Sequence, residues 1–383
     1  MKIIADANIP FVRQCFSSVG DVELIPGRQI TPDTVRDADI LLVRSVTKVD
    51  SHLLAGSSIS FVGTATIGFD HIDIDYLAEK KIGFASAPGS NANSVAEYII
   101  AAILNIAEKY DITLGGKSVG IIGVGNVGSA VEKKCAALGM TPCLNDPPLQ
   151  RQTNDPKYLP IEKLFDCDFV TLHTPLAFEG IDKTFHLADE TFFKSLKAGC
   201  VLLNTSRGAV NDTEALKSAI KFGKLKATVL DVWENEPDID TDLLDIVDIA
   251  TPHIAGYSTD GKTAGMIMIY NAACKYFDLK PEFDINSFLP DPLVPKLTID
   301  SSQADQQSAL LDAVTKIYDI KQDDSKTRQL LNLPTGKKCA LFTQLRKEYP
   351  VRREFQNTQI VLQNSSAKLI EKLSGIGFKV TNE

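Results

Sequence analysis

The chain has 383 residues, of which 44% are hydrophobic and 23% are charged, and its formal net charge is -9. These proportions are those of an ordinary globular protein that is long enough for two or three domains. The negative charge argues against non-specific binding to nucleic acid or to an anionic membrane, because both need a basic surface. We expect neither a signal peptide nor a membrane span, because the first residues and the later apolar runs are too short for either.

The seven cysteines are scattered along the chain, and no two of them form a CxxC pair. An odd number without regular spacing is typical of neither a disulfide framework nor a zinc site. We therefore expect reduced, mostly buried thiols in a cytoplasmic protein, and no metal site.

Short β-branched runs alternate with helical patterns from the start of the chain. Strands are predicted at 2–6, 38–45, 59–65 and 82–87, and the apolar stretch 93–110 predicts a buried helix. A second series of apolar runs then follows, with helical stretches such as 214–223 between them. Each run ends in small or polar residues, as expected for parallel strands covered on both faces; they lie at 117–123, 141–146, 168–173, 200–206, 226–233 and 247–253.

The last hundred residues have a different composition. The proline-containing segment 286–300 is interpreted as a linker to another unit. Beyond it, strands are predicted at 340–345 and 360–363, and a helix at 367–377. The tail is therefore predicted to be a small α+β domain, and it carries no chemical motif of its own.

A glycine-rich turn lies between a predicted strand, SVGIIG, and a predicted helix, SAVEKKCAALG. Glycines at this position permit a tight turn and a close approach by a pyrophosphate, whose charge the helix N-terminus stabilises. Eighteen residues beyond the last glycine, Asp146 ends the next predicted strand, where an acid accepts hydrogen bonds from a ribose diol and repels a 2′-phosphate. The pattern therefore predicts an NAD site made by Gly123, Gly125, Gly128 and Asp146. The alternative is a glycine turn in some other βαβ unit.

Three polar residues, Arg207, Glu236 and His253, are predicted at the ends of successive strands. The carboxyl ends of parallel strands border the ligand crevice, so the three side chains can converge there. Histidine transfers protons near neutral pH, a neighbouring carboxylate fixes its tautomer, and arginine offers a planar charged fork to a substrate carboxylate. Taken singly, they could be a surface ion pair, a solvated loop acid and a structural histidine. Together, after a dinucleotide fold, they favour hydride transfer from a secondary alcohol.

Several segments resemble the D-isomer-specific 2-hydroxyacid dehydrogenase family over about residues 1–285. They are the turn GVGNVG, HTPL (173–176), NTSRGAVND (204–212), LDVWENEP (230–237) and TPHIAGYS (251–258). The resemblance implies an α/β fold with two Rossmann-like, doubly wound parallel-sheet domains and a small C-terminal α+β dimerisation domain. The implied boundaries are 1–92 with about 266–285 for the substrate-binding (catalytic lid) domain, 93–265 for the NAD-binding domain and 286–383 for the dimerisation domain.

Within the family, further segments resemble members that act on 4-phospho-D-erythronate. These segments are MKIIADANIP, LLVRSVTKV, VGTATIGFDHID, NDPP and LRKEYPVRREF. This resemblance implies NAD-dependent oxidation of 4-phospho-D-erythronate to (R)-3-hydroxy-2-oxo-4-phosphooxybutanoate, a step of pyridoxal 5′-phosphate (vitamin B6) biosynthesis. It also implies a cytoplasmic homodimer that binds a phosphorylated small-molecule 2-hydroxy acid, and neither nucleic acid nor membrane.

Matching positions imply a fuller set of site residues. The catalytic set would be Arg207, Glu236 and His253, with His253 as the general acid/base. The NAD site would be lined by Gly123, Gly125, Asn126, Val127, Gly128, Asp146, Thr174, Thr205, Ser206, Arg207, Asp231 and Gly256. The substrate would contact Ser45, Thr66 and Tyr257. From the residues alone, Thr66 could also sit in an ordinary turn and Asp231 could cap a loop, whereas His173 is interpreted as a support of the crevice.

Two other functions remain open from the sequence. One is another dehydrogenase of the family, acting on glycerate or phosphoglycerate, from which the tail after residue 285 would distinguish this chain. The other is a non-catalytic NAD-sensing binding protein on the same scaffold, such as a transcriptional corepressor. The candidates for binding the substrate phosphate are Arg44, Arg346, Arg352 and Arg353.

Overall fold

The computed structural model describes residues 1–300, 302, 305–364 and 366–382. The chain forms two compact units, one made of Met1–Asn91 and Tyr257–Asp291 and the other of Ala92–Gly256 and Pro292–Glu383. The tail thus belongs to the same compact unit as the predicted NAD-binding domain, and the three-domain boundaries stay a prediction.

The strands of the described residues carry the numbering used below. In chain order they are β1 (Lys2–Asp6), β2 (Asp21–Ile25), β3 (Ile40–Val43), β4 (Phe61–Thr64), β5 (Gly83–Ala85), β6 (Ser118–Ile122), β7 (Thr141–Asn145), β8 (Phe169–Leu172), β9 (Cys200–Asn204), β10 (Leu225–Leu230), β11 (Ile249–Ala250), β12 (Lys296–Asp300), β13 (Gln359–Gln363) and β14 (Lys379–Asn382). The predicted strands of the first 253 residues are confirmed at their centres.

The α-helices follow the same convention. They are α1 (Val12–Phe16), α2 (Pro32–Val35), α3 (Ser51–Leu54), α4 (Ile74–Glu79), α5 (Ala92–Lys109), α6 (Asn126–Ala137), α7 (Pro147–Thr153), α8 (Glu190–Ser195), α9 (Thr213–Lys221), α10 (Thr241–Ile246), α11 (Thr259–Tyr276), α12 (Gln306–Ile317), α13 (Ile320–Arg328), α14 (Thr335–Lys347) and α15 (Ala367–Ile376). Helix α5 is buried on nearly its whole circumference, as its apolar sequence predicts. Within the described part of the chain, no helix combines the length and the apolar character that crossing a bilayer requires.

The first unit contains a five-stranded sheet in the order β2-β1-β3-β4-β5, and all its strand pairs are parallel. Its strands β1, β3 and β4 are buried on both faces because helices cover the sheet. Strand β2 was not predicted: it is an edge strand whose charged residues Asp21 and Glu23 are exposed, so it lacks a continuous apolar run. The sheet therefore carries the ends of β3 and β4 side by side.

The second unit contains a six-stranded parallel sheet in the order β11-β10-β9-β8-β6-β7. The strand order reverses between β6 and β8, which creates the crevice where dinucleotides bind in such sheets. The ends of β9, β10 and β11 are neighbours along one edge of this crevice. This order is the doubly wound arrangement that the alternating sequence predicts.

The C-terminal part of the second unit has a three-stranded parallel sheet in the order β12-β13-β14. Two predictions are wrong here. Residues 340–345 lie in helix α14 rather than in a strand, and the end of the predicted linker forms strand β12. Leu330 and Phe342 of this part are fully buried in the same apolar core as the six-stranded sheet.

Candidate active site

The glycine turn between β6 and α6 has the geometry that the pattern predicts. Gly123 has a φ of +87°, and a Cβ atom there would lie 2.8 Å from the His173 carbonyl carbon. A Cβ on Gly128 would lie 2.0 Å from the Gly123 oxygen, so only glycine permits this contact between turn and helix. A Cβ on Gly125, in contrast, would meet no atom within 4 Å among the described residues. The turn therefore packs tightly at Gly123 and Gly128, and it leaves space at Gly125, where a pyrophosphate would approach.

The groups around this turn fit a dinucleotide. Helix α6 begins at Asn126 and has no side-chain cap at Gly125, so the first amides of the helix are available to phosphate oxygens. The Oγ1 atom of Thr174 is buried and has no hydrogen-bond partner among the described residues. A buried hydroxyl without a partner costs free energy, which a bound ligand can recover.

Asp146 stands directly after β7, where the prediction placed it. One carboxylate oxygen accepts a hydrogen bond from the Val124 amide at 2.8 Å, and the other accepts from the Leu149 amide at 2.9 Å. The side chain therefore holds the glycine turn and caps helix α7 at once. A carboxylate oxygen has two lone pairs, so these bonds leave acceptor capacity for a ribose diol.

His253 and Glu236 form a direct pair. The Nδ1 atom of His253 lies 2.7 Å from Oε2 of Glu236, and the other carboxylate oxygen accepts from the Trp233 amide at 2.9 Å. The His253 side chain is 31% exposed and that of Glu236 only 18%. The imidazole is thus anchored through one nitrogen, which leaves Nε2 for chemistry.

The charge state of Glu236 follows from its surroundings. Burial by itself raises the pKa of this carboxyl group, but the positive charges of His253 and Arg346 and the hydrogen bonds outweigh it, so the pKa is lowered. The carboxylate is therefore ionised at neutral pH. An ionised partner selects the tautomer of His253 whose proton is on Nδ1, an assignment made from the hydrogen bond.

Asp231 builds the loop that carries His253. It is buried and accepts hydrogen bonds from the amides of Ile254 and Ala255, at 2.7 and 2.9 Å, and from the hydroxyl of Thr251 at 2.6 Å. The His253 amide donates to the Asp231 carbonyl at 2.7 Å. Asp231 thus caps a neighbouring loop, the structural role that the sequence had left open, and its place in the NAD site stays a prediction.

Arg207 follows β9 in a turn held by Asn204. The Asn204 side chain donates to the Arg207 carbonyl at 3.0 Å and accepts from the amide and the hydroxyl of Ser206. A Cβ on Gly208 would overlap the Trp233 carbonyl carbon at 1.9 Å, so the Arg207 turn packs directly against the loop that leads to Glu236. The three predicted catalytic residues therefore lie on adjacent loops of one sheet edge.

His173 contacts the hydroxyl groups of two threonines, and its role as a support of the crevice stays a prediction. Its ring lies 3.0 Å from the Thr171 hydroxyl and 3.3 Å from the Thr205 hydroxyl. The surrounding protein buries the ring and lowers the pKa of His173 to about 3. A histidine whose pKa is lowered by burial is less suited to accepting a proton from a substrate near neutral pH.

The predicted substrate residues lie in the first unit. Ser45 is exposed after β3, and Thr66 follows β4, the neighbouring parallel strand. The Thr66 hydroxyl bonds to the Thr64 hydroxyl at 2.7 Å and to the Gly68 carbonyl at 2.9 Å. Tyr257 has the Lys262 ammonium group 4.2 Å above its ring. Their contact with substrate stays a prediction.

Several site residues were missed by sequence reasoning. Asn204 could have been suspected, because asparagine after a strand and before a turn commonly binds nearby backbone. Arg346 was considered only as a phosphate ligand, whereas its Nη1 atom lies 3.9 Å from Glu236 Oε2.

Comparison with known protein families agrees with this geometry. Residues 103–255 match the model described as "D-isomer specific 2-hydroxyacid dehydrogenase, NAD binding domain". Residues 288–377 match a "Domain of unknown function (DUF3410)". The NAD match covers the glycine turn, Asp146 and the loops of Arg207, Glu236 and His253, so the cofactor of this chain is NAD.

Full-length relatives decide the family. The chain is 41% identical to erythronate-4-phosphate dehydrogenase of Hahella chejuensis over 100% of both chains. It is 43% identical to the enzyme of that name from Marinobacter nauticus, over 99% of this chain and 100% of the relative. The chain belongs to the erythronate-4-phosphate dehydrogenase family. Because both matches extend through the tail, the erythronate-4-phosphate dehydrogenases share the C-terminal region as well as the NAD-binding domain.

A solved structure shows how much of this family's fold is more widely shared. The NAD+-bound 3-phosphoglycerate dehydrogenase of Entamoeba histolytica is 26% identical, with a TM-score of 0.61, and covers 76% of this chain and 99% of its own. The match therefore leaves about a quarter of this chain without a counterpart in that structure.

Proposed function

We infer that this chain oxidises 4-phospho-D-erythronate to (R)-3-hydroxy-2-oxo-4-phosphooxybutanoate with NAD, a step of pyridoxal 5′-phosphate biosynthesis. The observation that carries the inference is the 2.7 Å bond between His253 Nδ1 and Glu236 Oε2 at the edge of an NAD-binding sheet. The relatives that match the whole chain bear the name of this activity.

The proton chemistry falls to His253. NAD, when bound, supplies the acceptor for the hydride that leaves the substrate's C2 carbon. Glu236 holds the Nδ1 proton, so the Nε2 lone pair of His253 can accept the proton of the substrate hydroxyl as the alcohol becomes a carbonyl. The imidazolium that results lies against an ionised carboxylate, which stabilises the positive charge.

The remaining proposed residues bind and orient. Arg207 would hold the substrate carboxylate with its planar fork, and Ser45, Thr66 and Tyr257 would contact the substrate. The pyrophosphate would lie on the α6 N-terminus over Gly125, and Asp146 would bind the adenosine ribose. The rest of the proposed cofactor site consists of Gly123, Asn126, Val127, Gly128, Thr174, Thr205, Ser206, Asp231 and Gly256.

We also propose that the chain acts as a cytoplasmic homodimer joined through its C-terminal region. Support comes from the C-terminal match that accompanies the dehydrogenase fold in its full-length relatives, and from seven free cysteines, five of them buried. Light scattering on the full chain tests the assembly: a mass of about twice 41.7 kDa is expected, and a monomer at micromolar concentration would refute it.

A substrate comparison tests the proposed activity. Purified protein with NAD is given 4-phospho-D-erythronate, unphosphorylated D-erythronate, 3-phosphoglycerate or glycerate, and NADH formation is followed. We expect the highest kcat/KM for 4-phospho-D-erythronate. A preference for the glycerate compounds would favour another dehydrogenase of the wider family, and NAD binding without turnover of any substrate would favour an NAD-sensing protein.

A further inference from the structure

A second arginine reaches the catalytic pair from a part of the chain without a dehydrogenase motif. Arg346 lies in the last turn of α14, 110 residues beyond Glu236 in sequence. Its Nη1 atom is 3.9 Å from Glu236 Oε2, and this same oxygen is 2.7 Å from His253 Nδ1. One carboxylate oxygen thus lies between an arginine and the imidazole.

We propose that Arg346 is a positioning residue for the reaction, which acts through Glu236 to set how strongly the pair holds a proton on His253. The C-terminal region, residues 292–382, would then contribute a residue to the active site in addition to its proposed role in the subunit contact. The proposal rests on the proposed function for its kinetic consequences, but its central consequence, the titration of His253, can be measured without a substrate.

Arg346 places a positive charge beside the carboxylate that pairs with His253. Arg346 is charged at all accessible pH values, and its side chain is only 27% exposed beside a carboxylate that is 18% exposed. An arginine at this distance neutralises part of the carboxylate's charge, and it repels a second positive charge on the imidazole. Without Arg346, Glu236 would attract the His253 proton more strongly, so His253 would become a weaker acid and would be protonated up to a higher pH.

The position of Arg346 is fixed by the packing of its helix. Phe342, one turn earlier on the same face of α14, is fully buried in the apolar core of the six-stranded sheet. At the start of the helix, the Lys338 ammonium group donates to the Thr241 hydroxyl at 3.1 Å, at the first residue of α10. The helix is thus held against the chain segment that follows Glu236. Lys347, the next residue after Arg346, is exposed.

The C-terminal region also holds the loop segment that follows His253. Arg352 is 5% exposed, and its Nη2 atom donates to the Ala255 carbonyl at 2.7 Å and to the Ser94 carbonyl at 3.1 Å. The Ala255 amide donates to Asp231, so both backbone polar groups of Ala255 are hydrogen-bonded, one to Asp231 and one to Arg352. His253 has a φ of +59°, a conformation that costs a non-glycine residue free energy and persists only where its surroundings impose it.

The charged groups around the pair come from separate elements. The Glu236 carboxylate contacts His253, which lies in the loop after β11, and Arg346, which lies in α14. It also accepts a hydrogen bond from the Trp233 amide of its own loop. On the far side of the His253 loop, Asp231 and Arg352 bind backbone atoms. Among the described residues of the C-terminal region, Arg346 is the charged side chain that reaches the Glu236 carboxylate.

The test uses three variants of the full chain. Arg346→Met removes the charge and keeps the length of the side chain, Arg346→Lys keeps the charge, and Lys347→Met removes a charge from the neighbouring exposed position. The ring titration of His253 is followed by NMR, with its signal assigned from a His253→Gln spectrum. The acid limb of kcat/KM for 4-phospho-D-erythronate is measured in parallel.

We expect Arg346→Met to move the midpoint of the His253 titration and the acid limb to higher pH by about half a unit to one unit. Arg346→Lys should show less than half of this shift, and Lys347→Met should show none. An unchanged titration in Arg346→Met, or an equal shift in Lys347→Met, would overturn the proposal.

Two further outcomes separate this proposal from others. An increase in KM for the phosphorylated substrate alone, with an unchanged His253 titration, would make Arg346 a phosphate ligand instead. A shifted titration in a protein that does not oxidise 4-phospho-D-erythronate would support the role of Arg346 and refute the proposed substrate.

Discussion

Replacing Glu236 with glutamine removes one charge from the catalytic pair and keeps the shape of the side chain. The substitution leaves an oxygen that can still accept from the Trp233 amide, at 2.9 Å in the parent chain. What it removes is the ionised acceptor 2.7 Å from His253 Nδ1. The imidazolium that forms during oxidation would then lie beside the amide nitrogen of glutamine, which has no negative charge and cannot accept the Nδ1 proton.

The size of the effect follows from the burial of the pair. A hydrogen bond to a charged group contributes about 1.5–3 kcal/mol, and the small exposed fraction of Glu236 favours the upper part of that range. A loss of about 2–3 kcal/mol in the transition state corresponds to a decrease in kcat/KM of about 30- to 150-fold. NAD affinity should change by less than about twofold, because Glu236 is not part of the proposed cofactor site.

Steady-state NADH formation from 4-phospho-D-erythronate measures kcat/KM, and quenching of protein fluorescence measures NAD binding. Glu234→Gln is a matched control, since Glu234 is a nearby acid of the same loop that bonds to His186 and Thr213 instead. A decrease of less than about threefold in Glu236→Gln, or an equal decrease in Glu234→Gln, would refute the role assigned to the pair.

Two other predictions concern the cofactor site and the stability of the fold. Asp146→Asn keeps an acceptor for the Leu149 amide but removes the charge that repels a 2′-phosphate. The ratio of kcat/KM with NADP to kcat/KM with NAD should therefore rise about tenfold or more. The control Asp155→Asn should leave this ratio unchanged. Burial and the nearby Glu354 raise the pKa of Glu97 to about 8 from an ordinary value of 4.5, so the folded state binds this proton more tightly than the unfolded state does. The free energy of unfolding should therefore decrease as the pH rises from about 5 to about 8. Urea titrations should show a smaller decrease for Glu97→Gln than for the parent chain. An identical pH dependence in the parent chain and in Glu97→Gln would contradict this assignment.

The parallel sheets could be predicted because their central strands are continuous apolar runs between helical patterns. Strand β2 could not, because an edge strand needs only one apolar face and here carries exposed acids. Helix α14 was mistaken for a strand because ALFTQL is a short apolar run. Its buried and half-buried residues Leu341, Phe342 and Leu345 have helical spacing, which becomes clear only over the full length of the helix.

The candidate site could be predicted where a residue type suited to the chemistry stands at the end of a predicted strand. Glycines between a strand and a helix, and Arg207, Glu236 and His253 after successive strands, identify themselves by residue type and by topology. Arg346 could not be assigned to Glu236 in this way, because their contact depends on how α14 packs against a loop 110 residues earlier. Asp231 shows a related difficulty, since a buried acid after a strand can serve a ligand or a loop, and only its hydrogen bonds show that it builds the His253 loop.

In the proposed reaction, His253 accepts the proton of the substrate hydroxyl during hydride transfer to NAD. The most direct measurement is the rate of the first turnover, in which NADH formed per subunit is followed after mixing the NAD complex with 4-phospho-D-erythronate. For His253→Ala we expect this rate to decrease by at least about 100-fold while the Kd for NAD changes by less than about twofold. A first turnover at the wild-type rate in His253→Ala would contradict this role of His253.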